Sequence, residues 1–209
     1  VYTARFMPRR ILELMQKHDA TVFVAIPSMY AALLSAKSAK KEQFTTLKWL
    51  VSGGEPLPRA VAQGFVERLG VLINEGYGLT ETAPVTNWCR PEEHRAHSVG
   101  PPVPGVEEKI VGPDGARLPQ GEEGEICIKG PNVMRGYYNL PEETAAVFDD
   151  EGFFKTGDIG KFDEDGHLYI TGRLKEMLII GGENVFPREI EEVLNAHPSV
   201  HASAVIGHH

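Results

Sequence analysis

At Pro101-Pro102 the hydrophobic rhythm of the chain changes. Upstream, short wholly apolar runs alternate with stretches of helical periodicity. Arg10–His18 sets Ile11, Leu12, Leu14 and Met15 on one helical face with charges opposite. Thr21–Ile26 (TVFVAI) reads as a strand stopped by Pro27, and Ser28 is placed to cap a helix through Tyr30, Leu33 and Leu34. Leu47–Ser52 is a second apolar strand, Pro58–Leu69 a helix with proline near its start, and Val71–Asn74 a third strand. Apolar strands separated by helices predict a parallel sheet in an α/β layer, because such strands are covered on both faces.

Downstream, residues 99–172 alternate with a period near two, as in Glu125–Lys129 (EICIK). Turns are marked at Pro113-Asp114-Gly115 and at Asp165-Gly166, and Pro141–Phe148 is the one short helical stretch. This predicts a β-rich unit, an antiparallel meander or small barrel. After Gly172 come a charged link, a strand (Met177–Ile180), a Gly181-Gly182 turn, a helix from Pro187 and a last strand (Ala202–Ile206). Some 35 residues are too few for an independent core, so this piece reads as the opening of another domain. The expected division is 1–98, 99–172 and 173–209.

Composition excludes several functions. The 21 Lys+Arg against 29 Asp+Glu leave a net charge of −8, the wrong sign for a surface that neutralises phosphate backbones. No window approaches the roughly 18 apolar residues of a membrane span. Cys89 and Cys127 are too few for a disulfide framework, which points to a reducing, cytoplasmic setting, and Cys89 reads as a packed thiol. His94 and His97 are too lightly accompanied for a metal site, and Asp163-Glu164-Asp165-Gly166 is explained by a hairpin turn.

Three segments carry more chemistry than ordinary loops. Gly53-Gly54-Glu55 closes an apolar strand, and paired glycines there let a flat ligand approach the backbone at the edge where open α/β sheets bind ligands. In Asn74–Thr82 (NEGYGLTET), Tyr77 lies between two glycines with a ring face free to stack. Thr80 and Glu81 then offer a hydroxyl and a hard carboxylate suited to phosphate and Mg²⁺; a helix N-cap at Thr80 is the plainer reading. In the third, Asp158 could accept from both hydroxyls of a ribose with Arg173 close by, although a surface turn and an exposed linker explain the same residues.

Taken in order, SGGEPLP, NEGYGLTET, GEICIKGPNVMRGYYN, FFKTGDIG and GRLKEMLIIGGENVFPREIEEVL resemble the adenylate-forming enzymes, specifically the acyl-CoA synthetases, across essentially the whole chain. The resemblance implies a partial adenylate-forming fold, an α/β layer plus a β-rich subdomain and the start of a small α+β domain. It implies ATP, Mg²⁺ and coenzyme A as reaction partners, with a small carboxylic acid as substrate. By the same resemblance Gly53, Gly54 and Glu55 form an adenine-side loop, Tyr77 and Gly78 flank the base, and Thr80 meets phosphate. Glu81 holds the metal, and Asp158 binds the ribose with Arg173 assisting. Lys175 falls at the hinge between large and small domains, and Gly181, Gly182 and Glu183 lie on the coenzyme A side. The family's phosphate loop and its small-domain lysine have no counterpart in the 209 residues, so the chain is expected to be an internal fragment and inactive alone. The text GYGLTETAP favours medium- or long-chain fatty acids. Aryl-CoA ligases and luciferase-like enzymes carry similar text. Peptide-synthetase adenylation domains more often have Pro where Leu79 stands.

Overall fold

The computed structural model describes residues 5–181, 183–195, 197, 199–200 and 203–207. Its first layer opens with α1 (Pro8–Lys17), which has proline in its first turn and turns Leu12 and Met15 inward. β1 (Val22–Ala25) follows, then α2 (Pro27–Ser35). Ser28 does not cap α2: Pro27 already occupies the first turn, its fixed φ and missing N–H suiting that place, and no side chain caps the helix. β2 (Trp49–Ser52) leads to α3 (Arg59–Gly64), which widens into a π turn at Phe65–Leu69 and closes on left-handed Gly70. β3 (Asn74–Tyr77) and β4 (Asn87–Trp88) complete a sheet ordered β1-β2-β3-β4, parallel as far as β3 and antiparallel between β3 and β4.

The third strand lies three residues later than the Val71–Asn74 expected from hydropathy. Gly76 and Tyr77 are drawn into pairing with Trp88 and Asn87, a partner strand two residues long that no periodicity reveals. The core beneath the sheet is centred on Tyr30, fully buried and edge-on to Phe23 and Phe65, with ring centroids 5.6 and 5.4 Å away. Its hydroxyl donates to the Val51 carbonyl at 3.0 Å, with that of Phe23 equally near, so the one polar atom of this core is satisfied by strand backbone.

The second layer is an antiparallel meander of β5 (Glu107–Val111), β6 (Gly124–Lys129), β7 (Phe154–Phe162) and β8 (Leu168–Arg173). Val99, Ile110, Ile126, Ile128 and Leu168 form its core, and Tyr77 and Leu79 of the first layer pack against it. Short α4 (Pro141–Ala146) flanks the long loop between β6 and β7. The segment 98–103 stitches the two sheets together. Val99 donates to Leu168 and Leu168 to Gly100, while Val103 donates to Thr86 and Trp88 to Pro101. Gly100 is obligatory there: its φ is +86°, and a Cβ would overlap the Trp88 backbone.

Past β8 a 3-10 turn (Leu174–Glu176) leads to the hairpin β9 (Leu178–Ile180) and β10 (Glu183–Val185), then α5 (Pro187–Asn195). β10 was not foreseen, and the strand expected at Ala202–Ile206 does not form among its described residues, 203–206. The Val205 N–H is taken by the Glu191 carboxylate at 2.8 Å rather than by a strand partner. No helix among the described residues is long and apolar enough to cross a membrane.

Candidate functional site

A cleft of about 360 Å³ opens where the two sheets meet, between the carboxyl ends of β2 and β3 and the end of β8. Gly54 and Glu55 line one side, Tyr77 and Gly78 the floor, and Asp158 and Arg173 the opposite wall. The loop after β2 turns through Gly54 at φ +86°, and a Cβ on Gly53 would lie 3.3 Å from the Gly76 carbonyl oxygen, so the two glycine segments run tightly side by side. Gly78 is more restricted still, since a Cβ there would overlap the Pro84 carbonyl.

Asp158 is the centre of the wall. It is 4% exposed, yet stands on a strand whose alternation alone would not aim it into the cleft. Between Lys155 and Ile159 the strand holds three residues opposite the single Ile126 of β6. Gly157 takes a φ of +72° in this bulge, and Thr156 accepts the Asp158 N–H at 3.0 Å. Arg173 is the directly opposed residue on β8. Its Nε donates to Asp158 Oδ1 at 2.9 Å, while the Tyr77 hydroxyl donates to Oδ2 at 2.6 Å. Burial, reinforced by the Asp158 charge, pushes the Tyr77 hydroxyl far above its ordinary pKa, so it keeps its proton and can donate it to Asp158.

Next to the cleft, Thr80–Thr82 form a 3-10 turn behind Leu79. Thr80 is exposed and is not the cap residue: Leu79 holds that position, and the Thr82 hydroxyl accepts its N–H at 2.9 Å. Glu81 is half-buried, and its Oε1 accepts from the Tyr137 hydroxyl at 3.0 Å. Among the described residues no cluster of three or more His, Cys, Asp or Glu could hold a metal by itself. One carboxylate without such a cage suits Mg²⁺, which commonly takes one or two carboxylates and completes its shell with phosphate oxygens and water.

Lys175 lies exposed in the 3-10 turn after β8, and Gly181 and Glu183 in the exposed β9–β10 hairpin; none of the three lines the cleft. Gly182 falls outside the described residues, as do His208 and His209. Four further residues of this region, to which the sequence reading gives no place in the site, stand in or beside it. Glu75 and His97 line the cleft; burial pushes the Glu75 carboxyl up to about 7 and the His97 ring below its usual value. Arg188 of α5 reaches the rim, donating to the Ile170 carbonyl at 3.2 Å and to Glu192 at 3.1 Å, and Glu192 also meets Arg59 of α3 at 3.2 Å. Tyr137 is the fourth. Cys89 is fully buried and its thiol is pushed up by burial, which makes it a packed and unreactive group.

Comparison with known proteins places the chain among relatives of one family. The AMP-binding enzyme family matches residues 1–138. The chain is 38% identical over 205 residues to a feruloyl-CoA synthase from an Amycolatopsis species, covering 97% of this chain and 41% of that protein. It is 39% identical over 208 residues to a long-chain-fatty-acid–CoA ligase of Bacillus subtilis, covering 97% and 36%. Among solved structures, ATP-bound MatB from Rhodopseudomonas palustris superposes with a TM-score of 0.93 at 40% identity, over 99% of this chain and 41% of that one. The chain thus spans about two fifths of the length of the relatives it matches. A family match over residues 1–138, about two thirds of the chain, makes this chain a member of the AMP-binding enzyme family.

Proposed function

We propose that the protein carrying this chain is an AMP-forming acyl-CoA synthetase acting on a medium- or long-chain fatty acid. The carboxylate would attack the α-phosphorus of ATP, forming an acyl-adenylate and releasing pyrophosphate. The thiol of coenzyme A would then attack the acyl carbon, forming the thioester and releasing AMP. The observation that carries the reading is the Tyr77–Asp158–Arg173 arrangement sharing one cleft with Gly54 and Glu55, close in the chain to Glu81. Each Asp158 oxygen holds one protein donor and has a further acceptor direction, so the carboxylate can take both hydroxyls of a ribose without giving up Tyr77 or Arg173. Tyr77 and Gly78 offer the adenine a ring face and a backbone edge, against the loop of Gly53, Gly54 and Glu55. Thr80 is exposed for a phosphate oxygen.

Glu81 would supply the protein ligand to Mg²⁺, which when bound neutralises the phosphate charge during attack. Beyond that the site's contribution is positioning and charge. The proposed division follows the sheets: residues 1–98 and 99–172 as parts of the ATP-binding unit, and 173–209 as the start of a small domain hinged at Lys175. The Gly181–Glu183 turn would stand on the coenzyme A side. ATP use is supported by the nucleotide-bound MatB relative, and the fatty acid by the long-chain-fatty-acid–CoA ligases at 38–39% identity.

The feruloyl-CoA synthase at 38% identity supports a second reading, with an aromatic acid in the same reaction. ATP–pyrophosphate exchange across a panel from octanoate to oleate, with ferulate and benzoate, separates the two. Exchange driven by the aliphatic acids is expected. Exchange confined to the aromatic acids would move the substrate class, and none with any acid would overturn adenylation.

A further inference from the structure

Glu81 occupies the middle of a three-residue turn, a poor support for a long side chain whose carboxylate must meet a cation in one geometry. The support comes from elsewhere. Residues 132–137, in the loop after β6, cross to this turn and bind it at three levels. The Asn132 amide donates to the carbonyls of Thr82 at 2.9 Å and Val85 at 3.1 Å. The Met134 N–H donates to the Glu81 carbonyl at 2.7 Å, and the Tyr137 hydroxyl to Glu81 Oε1 at 3.0 Å.

Tyr137 is itself held from behind. Its N–H donates to the Thr144 hydroxyl oxygen at 2.9 Å, and that hydroxyl donates to the Leu140 carbonyl at 2.7 Å. Gly136, at φ +149°, lets the strap lie this close to α4, since a Cβ there would sit 2.6 Å from the Thr144 methyl carbon. Tyr138, the next residue, is 90% exposed, so the inward turn of Tyr137 is specific to that side chain.

We propose that Tyr137 is a positioning residue for Glu81: its hydroxyl fixes one carboxylate oxygen and leaves Oε2, which has no hydrogen-bond partner among the described residues, for the cation. This rests on the reading of Glu81 as the magnesium ligand. Two effects compete. The hydrogen bond draws charge from the carboxylate, which weakens a metal bond, and it removes the freedom of a flexible side chain, which strengthens one. With the strap anchored at Thr144, Asn132 and Met134, the preorganisation dominates.

The test is Mn²⁺ binding by the whole protein in the presence of a non-hydrolysable ATP analogue, with free Mn²⁺ counted by electron paramagnetic resonance. Tyr137→Phe, which removes only the hydroxyl, should weaken Mn²⁺ binding about tenfold, the scale of one hydrogen bond to a charged group, and leave metal-free nucleotide affinity unchanged. Glu81→Gln should weaken it at least as much, and Tyr137→Phe added to Glu81→Gln should cost nothing further. Thr144→Val, against Thr144→Ser as the control that keeps the hydroxyl, probes the strap from its other end should the Tyr137 variant fold poorly; a loss of Mn²⁺ binding with Val alone is expected. Unchanged or tighter Mn²⁺ binding in Tyr137→Phe, or an equal loss with and without Glu81, would overturn the proposal and leave the Glu81 reading standing. Unchanged binding in Glu81→Gln would remove that reading and this inference with it.

Discussion

Replacing Asp158 by Asn and by Ala separates its charge from its shape. Asn fits the same space and keeps both contacts, its oxygen accepting from Arg173 and its amide donating to the Tyr77 oxygen. What is lost is charge assistance. Hydrogen bonds to charged groups contribute roughly 1.5–3 kcal/mol against about 0.5–1.5 for neutral ones, so the Tyr77 contact, now between neutral groups, should lose about 1 kcal/mol, and the Arg173 contact, whose guanidinium stays charged, should lose less. The Arg173 side chain is 62% exposed, and water screens its share toward the low end. The expected cost of Asp158→Asn is then about 1.5 kcal/mol. Ala removes both contacts and leaves the Tyr77 hydroxyl facing a void, adding roughly 1–3 kcal/mol. Urea unfolding of the whole protein, followed by its tryptophan fluorescence, to which Trp49 and Trp88 contribute, should order the midpoints wild type, Asn, Ala. On the proposed function both variants also raise the KM for ATP strongly. Equal midpoints for Asn and Ala, or an Asn variant as stable as wild type, would refute the reasoning.

Glu108 gives a pH-dependent case. Burial pushes its carboxyl up to about 7, with the Asn87 amide pulling against the rise, and its Oε1 is buried without a partner. The folded state keeps this proton up to about 7 while the unfolded chain releases it near 4.5, so stability falls as pH rises through that window. The loss is at most about 1.4 kcal/mol per pH unit, and Glu108→Gln should flatten the fall, gaining on wild type at about pH 8 but not at about pH 4. Denaturant midpoints at the two pH values decide it. Gly78→Ala should cost about 3 kcal/mol and abolish nucleotide binding, because the added Cβ overlaps the Pro84 carbonyl and the Val85 Cα, backbone atoms that cannot swing aside; a normal melting temperature would count against the geometry. The 209 residues by themselves, two fifths of the relatives' length, should yield no acyl-CoA from ATP, coenzyme A and fatty acid, and turnover near that of the whole protein would be decisive against this.

The sequence disclosed what is local. Runs such as TVFVAI and EICIK became β1 and β6 within a residue or two, because apolar patterning decides which backbone is buried. Gly54, Tyr77, Asp158 and Arg173 announced themselves as special residue types in ordered motifs. It did not disclose what depends on distant partners. Tyr77 and Asp158 are 81 residues apart, and Tyr137 and Glu81 are 56 apart. The ring of Tyr77 was readable as a stacking surface, but the acceptor of its hydroxyl was not. β3 slid past its hydropathy because Gly76 and Tyr77 pair with Trp88 and Asn87, partners about a dozen residues downstream. His97 and Arg188 look like ordinary surface residues until the cleft places them at its edge.

The stitching at 98–103 also has a mechanical consequence. Two walls of the cleft belong to sheets joined by four backbone hydrogen bonds through Val99, Gly100, Pro101 and Val103, so they cannot separate without unzipping that seam. The remaining side, α5, is tied across the rim by side chains among the described residues: Arg188 on the Ile170 carbonyl, Glu192 on Arg59, which has two-thirds of its surface in water, and buried Phe186, just ahead of the helix, against Gly172. The cleft is therefore a corner whose two sheet walls share a backbone seam, while its third side, α5, is held by side-chain contacts.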